Sequence, residues 1–101
     1  MYGIVMYIMK LKATSFDWDE GNKDKNLKHN VTFKEAEEVF FNKPLKIYPD
    51  VKHSLVEKRF LALGITNQGR KLAIIFTLRQ EKIRVIFARA QSSKERRHYE
   101  K

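Results

Sequence analysis

Two apolar stretches, Lys71–Arg79 and Lys82–Arg89, flank a break at Gln80 and Glu81, and apolar and polar positions alternate beside it from Phe76 to Arg79 and from Lys82 to Val85, which predicts a β-hairpin. With those two residues as the turn, Arg79 pairs with Lys82, Leu78 with Ile83, Thr77 with Arg84, Phe76 with Val85 and Ile75 with Ile86. Side chains directly opposite one another share a face. One face then carries Ile74, Phe76, Leu78, Ile83, Val85 and Phe87 as core, and the other carries Thr77, Arg79, Lys82 and Arg84. A register slip of one residue would scatter both sets, so the sorting itself argues for this pairing.

A third strand is predicted over Arg59–Thr66, joined to Lys71–Arg79 through Asn67, Gln68, Gly69 and Arg70. If that four-residue loop pairs Thr66 with Lys71, Leu61, Leu63 and Ile65 join the core face, and Phe60 stands opposite Thr77 among the cations. There its ring is a stacking platform, or else it packs beneath an overlying loop. Leu45–Tyr48 is a further short strand, and 49–56 a polar loop holding His53.

Upstream, Phe16, Asp17 and Trp18 suggest a short strand, followed by a polar helix from about Asp19 to His29 with Leu27 as its only large apolar residue. Such a helix must draw its stability from tertiary contacts. The next helix is better specified: Thr32 and Glu35 form a capping box, and Phe33, Ala36, Val39 and Phe40 recur on one face as far as Asn42, before Pro44. A second capping box, Ser92 with Glu95, opens a C-terminal helix that is charged nearly all round and reads as solvated or frayed. The order predicts an α+β fold: an antiparallel sheet, two helices after the first strand on one face, a C-terminal helix, and a second face left partly open and basic.

With 101 residues, the chain reads as one domain over 1–101. Its net charge of +9 is uneven, because eight of the last 23 residues are Lys or Arg and only three are Glu. A concentrated cationic region is the footprint of a polyanion, most economically a nucleic acid, although a non-catalytic binding module or a surface for an acidic protein would share it. No cysteine is present, which suits a reducing cytoplasm, and His29, His53 and His98 lack zinc-site spacing, so neither metal nor cofactor is expected. Met1–Leu11 is apolar but well short of the roughly 20 residues that span a bilayer. It reads as an extra edge strand or an upstream-start extension over 1–12, and no membrane partner is expected.

Taken in order, Phe16-Asp17-Trp18-Asp19, Asn26 to Phe33 (NLKHNVTF), Glu35-Ala36, Val39-Phe40, Asp50, His53-Ser54, Glu57, Arg59-Phe60, Gly64, Arg84 to Arg89 (RVIFAR) and Glu95 with Tyr99-Glu100 resemble the BrnT family of type II toxins over residues 16–100. The interval from Asn26 to Lys28-His29 is one residue shorter than the family pattern. The resemblance implies a RelE-like ribonuclease fold and RNA cleavage that inhibits translation. It also implies a hetero-oligomer with a cognate ribbon-helix-helix antitoxin, BrnA, through which alone the complex would touch operator DNA.

Metal-free cleavage by a 2′-hydroxyl needs a proton acceptor, charge on the phosphorane oxygens and a proton donor for the leaving oxygen. Arg84 and Arg79 suit the second task, because guanidinium forks match phosphate oxygens and stay charged. His53 is the candidate acid and base, with Glu57 a competing base, and Lys28, Lys82 or a perturbed arginine as stand-ins. Lys82, Phe60, Arg59, Arg89, Lys28 and His29 are candidate substrate contacts. Alternation places Arg59 and Arg89 opposite the proposed site face unless a strand is bulged.

Overall fold

The computed structural model describes residues 15–27, 29–53 and 56–101. Its elements are α1 (Glu20–Leu27), α2 (Phe33–Phe41), β1 (Lys46–Pro49), a 3-10 turn (Val51–His53), β2 (Phe60–Ile65), β3 (Lys71–Arg79), β4 (Lys82–Ala90) and α3 (Ser93–Tyr99). The strands form one antiparallel sheet in the order β1-β2-β3-β4, so every neighbour in space is a neighbour in sequence. The fold is α+β, as predicted. Both capping boxes are present, Thr32 with Glu35 and Ser92 with Glu95. The β3–β4 turn is the two-residue one, with Gln80 and Glu81 both at positive φ (50° and 66°), the backbone that a type I′ hairpin requires.

One face of the sheet packs against α2. Ala36, Val39 and Phe40 meet Ile47, Ala62, Ile74, Phe76, Val85 and Ala88 in a single buried cluster, and the Phe40 ring stands edge-on to Phe76 at 5.1 Å. Gly64 lets the helix approach this closely, because a Cβ there would lie 2.5 Å from Val39 Cγ1. Phe33 extends the predicted stripe to the rim, half exposed, with its ring 5.9 Å from Trp18.

Two register details differ from expectation, and each changes which residues share a face. Ile65, not Thr66, pairs with Lys71. The Thr66 N–H donates to the Arg70 carbonyl at 2.9 Å, leaving a three-residue loop of Asn67, Gln68 and Gly69, with Gly69 at φ 87°. A loop one residue shorter reverses the face assignment of the whole strand. Phe60 therefore belongs to the core, 9% exposed and 5.4 Å from the Phe76 ring, and is not a platform among the cations. Leu61, Leu63 and Ile65 lie on the other face, and alternation carries Arg59 there with them. In β4 a bulge follows Val85: Phe76 still pairs with Val85, but Ile75 pairs with Phe87 rather than Ile86. The extra residue moves Phe87 off the core face, sets the small Ala88 opposite Ile74 in the cluster that packs against α2, and brings Arg89 to the face of Thr77 and Arg84.

The predicted strand at Phe16–Trp18 is reduced to one parallel bridge, Phe16 to Ile83, on the outer edge of β4. That edge is closed group by group. Ile83 N–H donates to the Ser15 carbonyl, Asp17 N–H donates to the Ile83 carbonyl, and the Asn22 side chain donates to the Val85 carbonyl. The edge strand expected within Met1–Leu11 lies outside the described residues.

α3 is docked rather than frayed. Tyr99 is 4% exposed against Leu63 and Ala73, and its hydroxyl donates to the Pro44 carbonyl at 2.6 Å. Lys46 Nζ donates to the His98 carbonyl at 3.2 Å, and Lys71 pairs with Glu100. The helix thus covers one end of the face that was expected to be open, and the arginine end stays uncovered.

Candidate functional site

The uncovered end of the sheet and the N-terminus of α1 enclose a cleft of about 610 Å³, lined by Asp19, Asn22, Arg59, Arg84, Val85 and Ile86 among others. Arg84 enters from β4, one residue before the bulge. Arg59 enters from the residue preceding β2. The shorter β2–β3 loop is what brings them together, since it turns Arg59 to the face on which the Thr77–Arg84 pair already places Arg84.

Arg84 does not stand alone in the cleft. Its Nη2 lies 2.8 Å from Asp19 Oδ2, and its Nη1 lies 3.4 Å from Asp17 Oδ2. Its side chain is only 16% exposed, so these pairs are partly shielded from water. The geometry raises the Arg84 pKa through the hydrogen bond to Asp19 and holds the Asp19 carboxyl below the usual carboxylate range, through the Asn22 backbone N–H first and Arg84 second. Both groups are charged at neutral pH.

Asn22 is the joint of this arrangement. It is 5% exposed, its Oδ1 accepts the Asp19 N–H at 2.7 Å, and its Nδ2 donates to the Asp17 carbonyl at 3.0 Å and the Val85 carbonyl at 3.2 Å. In return Asp19 Oδ1 accepts the Asn22 N–H at 3.0 Å, which caps α1. The polar helix thereby obtains the tertiary anchoring that its sequence required, and the same contacts fix both carboxylates beside Arg84. Asp17, Asp19 and Asn22 were not among the candidate site residues read from the sequence, although Asp17 and Asp19 belong to the first segment of the family resemblance. The readable signal was Asp19 three residues ahead of Asn22, a reciprocal capping spacing just after Trp18.

The other candidates are spread more widely. Arg79 is half exposed, with Nη2 3.3 Å from a Glu57 oxygen. This brings the competing base and the second arginine together beside Thr77, whose hydroxyl donates to the Lys58 carbonyl at 2.6 Å. Lys82 is exposed at the hairpin tip. His29 is exposed, its ring 6.4 Å from that of Phe87. Arg89 shares the face of Arg84 but is committed to Glu95 through two bonds, 2.7 and 3.0 Å, at the other end of β4. His53 closes the 3-10 turn; its side chain, and all of Lys28, lie outside the described residues. Arg79, Lys82 and Arg84 share one face of the hairpin, and four arginines among the described residues, Arg70, Arg79, Arg84 and Arg89, each face a carboxylate.

An antiparallel sheet with one face packed against α2, and at the end of the other face a cleft where two arginines stand with Asp19 and Glu20, defines an α+β domain with a charged cleft. The family model of the ribonuclease toxin BrnT of type II toxin-antitoxin systems matches residues 18–95, and the chain belongs to that family. No curated protein matches the chain. The family description names a ribonuclease and a toxin of a type II toxin-antitoxin system, so an RNA target and an antitoxin partner come with membership. Among the described residues no helix is long and apolar enough to cross a membrane.

Proposed function

We propose that this chain is a metal-independent endoribonuclease of RelE-like architecture that inhibits translation and is neutralised by a BrnA-like ribbon-helix-helix antitoxin. The observation that carries this reading is the convergence of Arg59 and Arg84 on one cleft in a chain of the BrnT family. In the reaction, the 2′-oxygen bonds to phosphorus while the bond from phosphorus to the 5′-oxygen breaks. One proton leaves the 2′-hydroxyl and another reaches the 5′-oxygen. The products are a 2′,3′-cyclic phosphate and a 5′-hydroxyl.

Arg84, with Arg59 beside it and Arg79 at the hairpin end, stabilises the negative charge that grows on the equatorial oxygens. The phosphate exchanges with Asp19 on Arg84, so the carboxylate keeps the guanidinium aimed into the cleft until substrate arrives. Proton transfer falls to the segment between β1 and β2. Glu57 is seated next to Arg79, and His53 is the group whose ordinary pKa suits both directions of transfer. A non-catalytic binding module using the same surface would bind RNA with a steep salt dependence and release no products.

The test is cleavage of single-stranded RNA by purified chain in excess chelator, with and without Arg84→Ala. Loss of one transition-state donor should slow the reaction roughly 100- to 1,000-fold. His53→Gln and Glu57→Gln identify the base: whichever removes a limb of the pH-rate profile holds the proton. Intact RNA at high wild-type concentration, or an Arg84→Ala rate equal to wild type, refutes the proposal.

A further inference from the structure

A second concavity, of about 370 Å³, lies on the same sheet face between the sheet and α3. Tyr48, Leu61 and Leu63 form its floor, and Lys94, Glu95 and His98 its wall. The rings of Tyr48 and His98 make a corner, with centroids 5.6 Å apart and planes at 57°. Glu95 is spent on Arg89 and on its own helix cap. Lys94 makes no hydrogen bond or ion pair among the described residues. The charge presented at the rim is therefore positive.

We infer that this groove is a subsite for one unpaired nucleobase of the RNA strand whose backbone crosses the arginine cleft, with Lys94 and His98 gripping the neighbouring phosphate. The inference rests on the ribonuclease reading for its ligand, and it adds a site that cleavage chemistry does not require. Three observations favour a base. An aliphatic floor meeting two ring faces suits a flat heterocycle, and a cationic rim suits the phosphate next to it. The wall is one helical turn, Lys94 to His98, about 6 Å long, whereas a docked partner helix needs anchors from i to i+7 over about 10 Å. The groove also lies on the same sheet face as the cleft. Tyr48 pairs with Leu61 and Leu61 with Ile75, one step along the sheet from Thr77 and Arg84. Three strand spacings and that step separate Tyr48 from Arg84 by roughly 16 Å, a span that a strand of a few nucleotides covers.

The full chain is titrated by fluorescence anisotropy with single-stranded 2′-O-methyl RNA, which lacks the attacking hydroxyl, and with a series in which one base at a time is removed. Tyr48→Ala should weaken binding roughly 5- to 150-fold, the range for loss of one stacked base, and Tyr48→Phe should match wild type. At one position of the series, base removal should weaken wild type by the same factor and Tyr48→Ala by less than twofold. Lys94→Glu, on the exposed face of α3, should weaken binding without depending on the floor, and it carries the test if Tyr48→Ala melts early. Unchanged dissociation constants for Tyr48→Ala and Lys94→Glu overturn the subsite. So does a base-removal profile identical in wild type and Tyr48→Ala, or variants that keep RNA binding but lose the antitoxin complex. Wild type that shows the base-dependent binding but leaves ordinary RNA intact supports the subsite while refuting the enzyme reading; wild type that binds no RNA overturns both.

Discussion

Asn22→Ala is the substitution that most directly joins stability to the cleft. The amide makes three bonds that alanine cannot: to the Asp19 N–H, to the Asp17 carbonyl and to the Val85 carbonyl, at 2.7, 3.0 and 3.2 Å. The Val85 bond is buried, so its carbonyl loses a partner that water does not readily replace. Each neutral bond contributes on the order of 1 kcal/mol net, and an orphaned buried acceptor costs about 1 to 3 kcal/mol. Allowing the two outer groups to recover water, the loss is about 2 to 3 kcal/mol, a large share of the roughly 5 to 15 kcal/mol that holds a small domain together. The melting midpoint should fall by about 8 to 20 °C. Because Asn22 also seats Asp19 and Asp17, RNA cleavage measured well below both midpoints should slow as Arg84 loses its fixed orientation. Thermal melts and urea titrations give the first quantity, and turnover at low temperature the second. A midpoint within about 2 °C of wild type would show that the joint described here is not what anchors α1. A lower midpoint with unchanged turnover would show that Arg84 needs no positioning by the helix.

Gly64→Ala should destabilise by about 1 to 3 kcal/mol, because the new methyl lies 2.5 Å from Val39 Cγ1; Val39→Ala in the same chain should recover part of the loss in urea midpoint. Replacing Gln80 and Glu81 by Asn and Gly should raise the midpoint, since two non-glycine residues now occupy positive φ; an unchanged or lower midpoint would argue against the type I′ turn. Arg89 holds the Glu95 carboxyl below its ordinary value of 4.5. Its folded pKa is depressed, so its contribution is fully present above about pH 4.5 and is lost as pH falls through the folded value. Urea midpoints followed from about pH 6 to about pH 3 should fall less steeply for Glu95→Gln than for wild type, and equal slopes would mean that the pair adds nothing.

Elements with a local cause were legible in the sequence. The strands Lys71–Arg79 and Lys82–Ala90, the turn at Gln80-Glu81, and the Thr32–Glu35 and Ser92–Glu95 boxes depend only on residues close along the chain, and all stand in the structure. The basic face was legible for the same reason, because directly paired residues share a side. Which side each residue of the neighbouring strand takes depends on parity, and parity is decided by a single residue. The bond from Thr66 to Arg70 shortens one loop and sends Phe60 inward and Arg59 outward. The bulge after Val85 returns Arg89 to the basic face while Ala88 joins the cluster under α2. No spacing in the sequence announces either event, since both depend on which hydrogen bonds and which close packing win in three dimensions. The partners of the cations were hidden in the same way: Asp17 and Asp19 lie more than sixty residues from Arg84, and only the closure of the β4 edge by Ser15, Asp17 and Asn22 brings them to it. Sequence alone determined that a cationic sheet face would exist. Tertiary structure decided which arginines share its cleft and which carboxylates an incoming anion must displace.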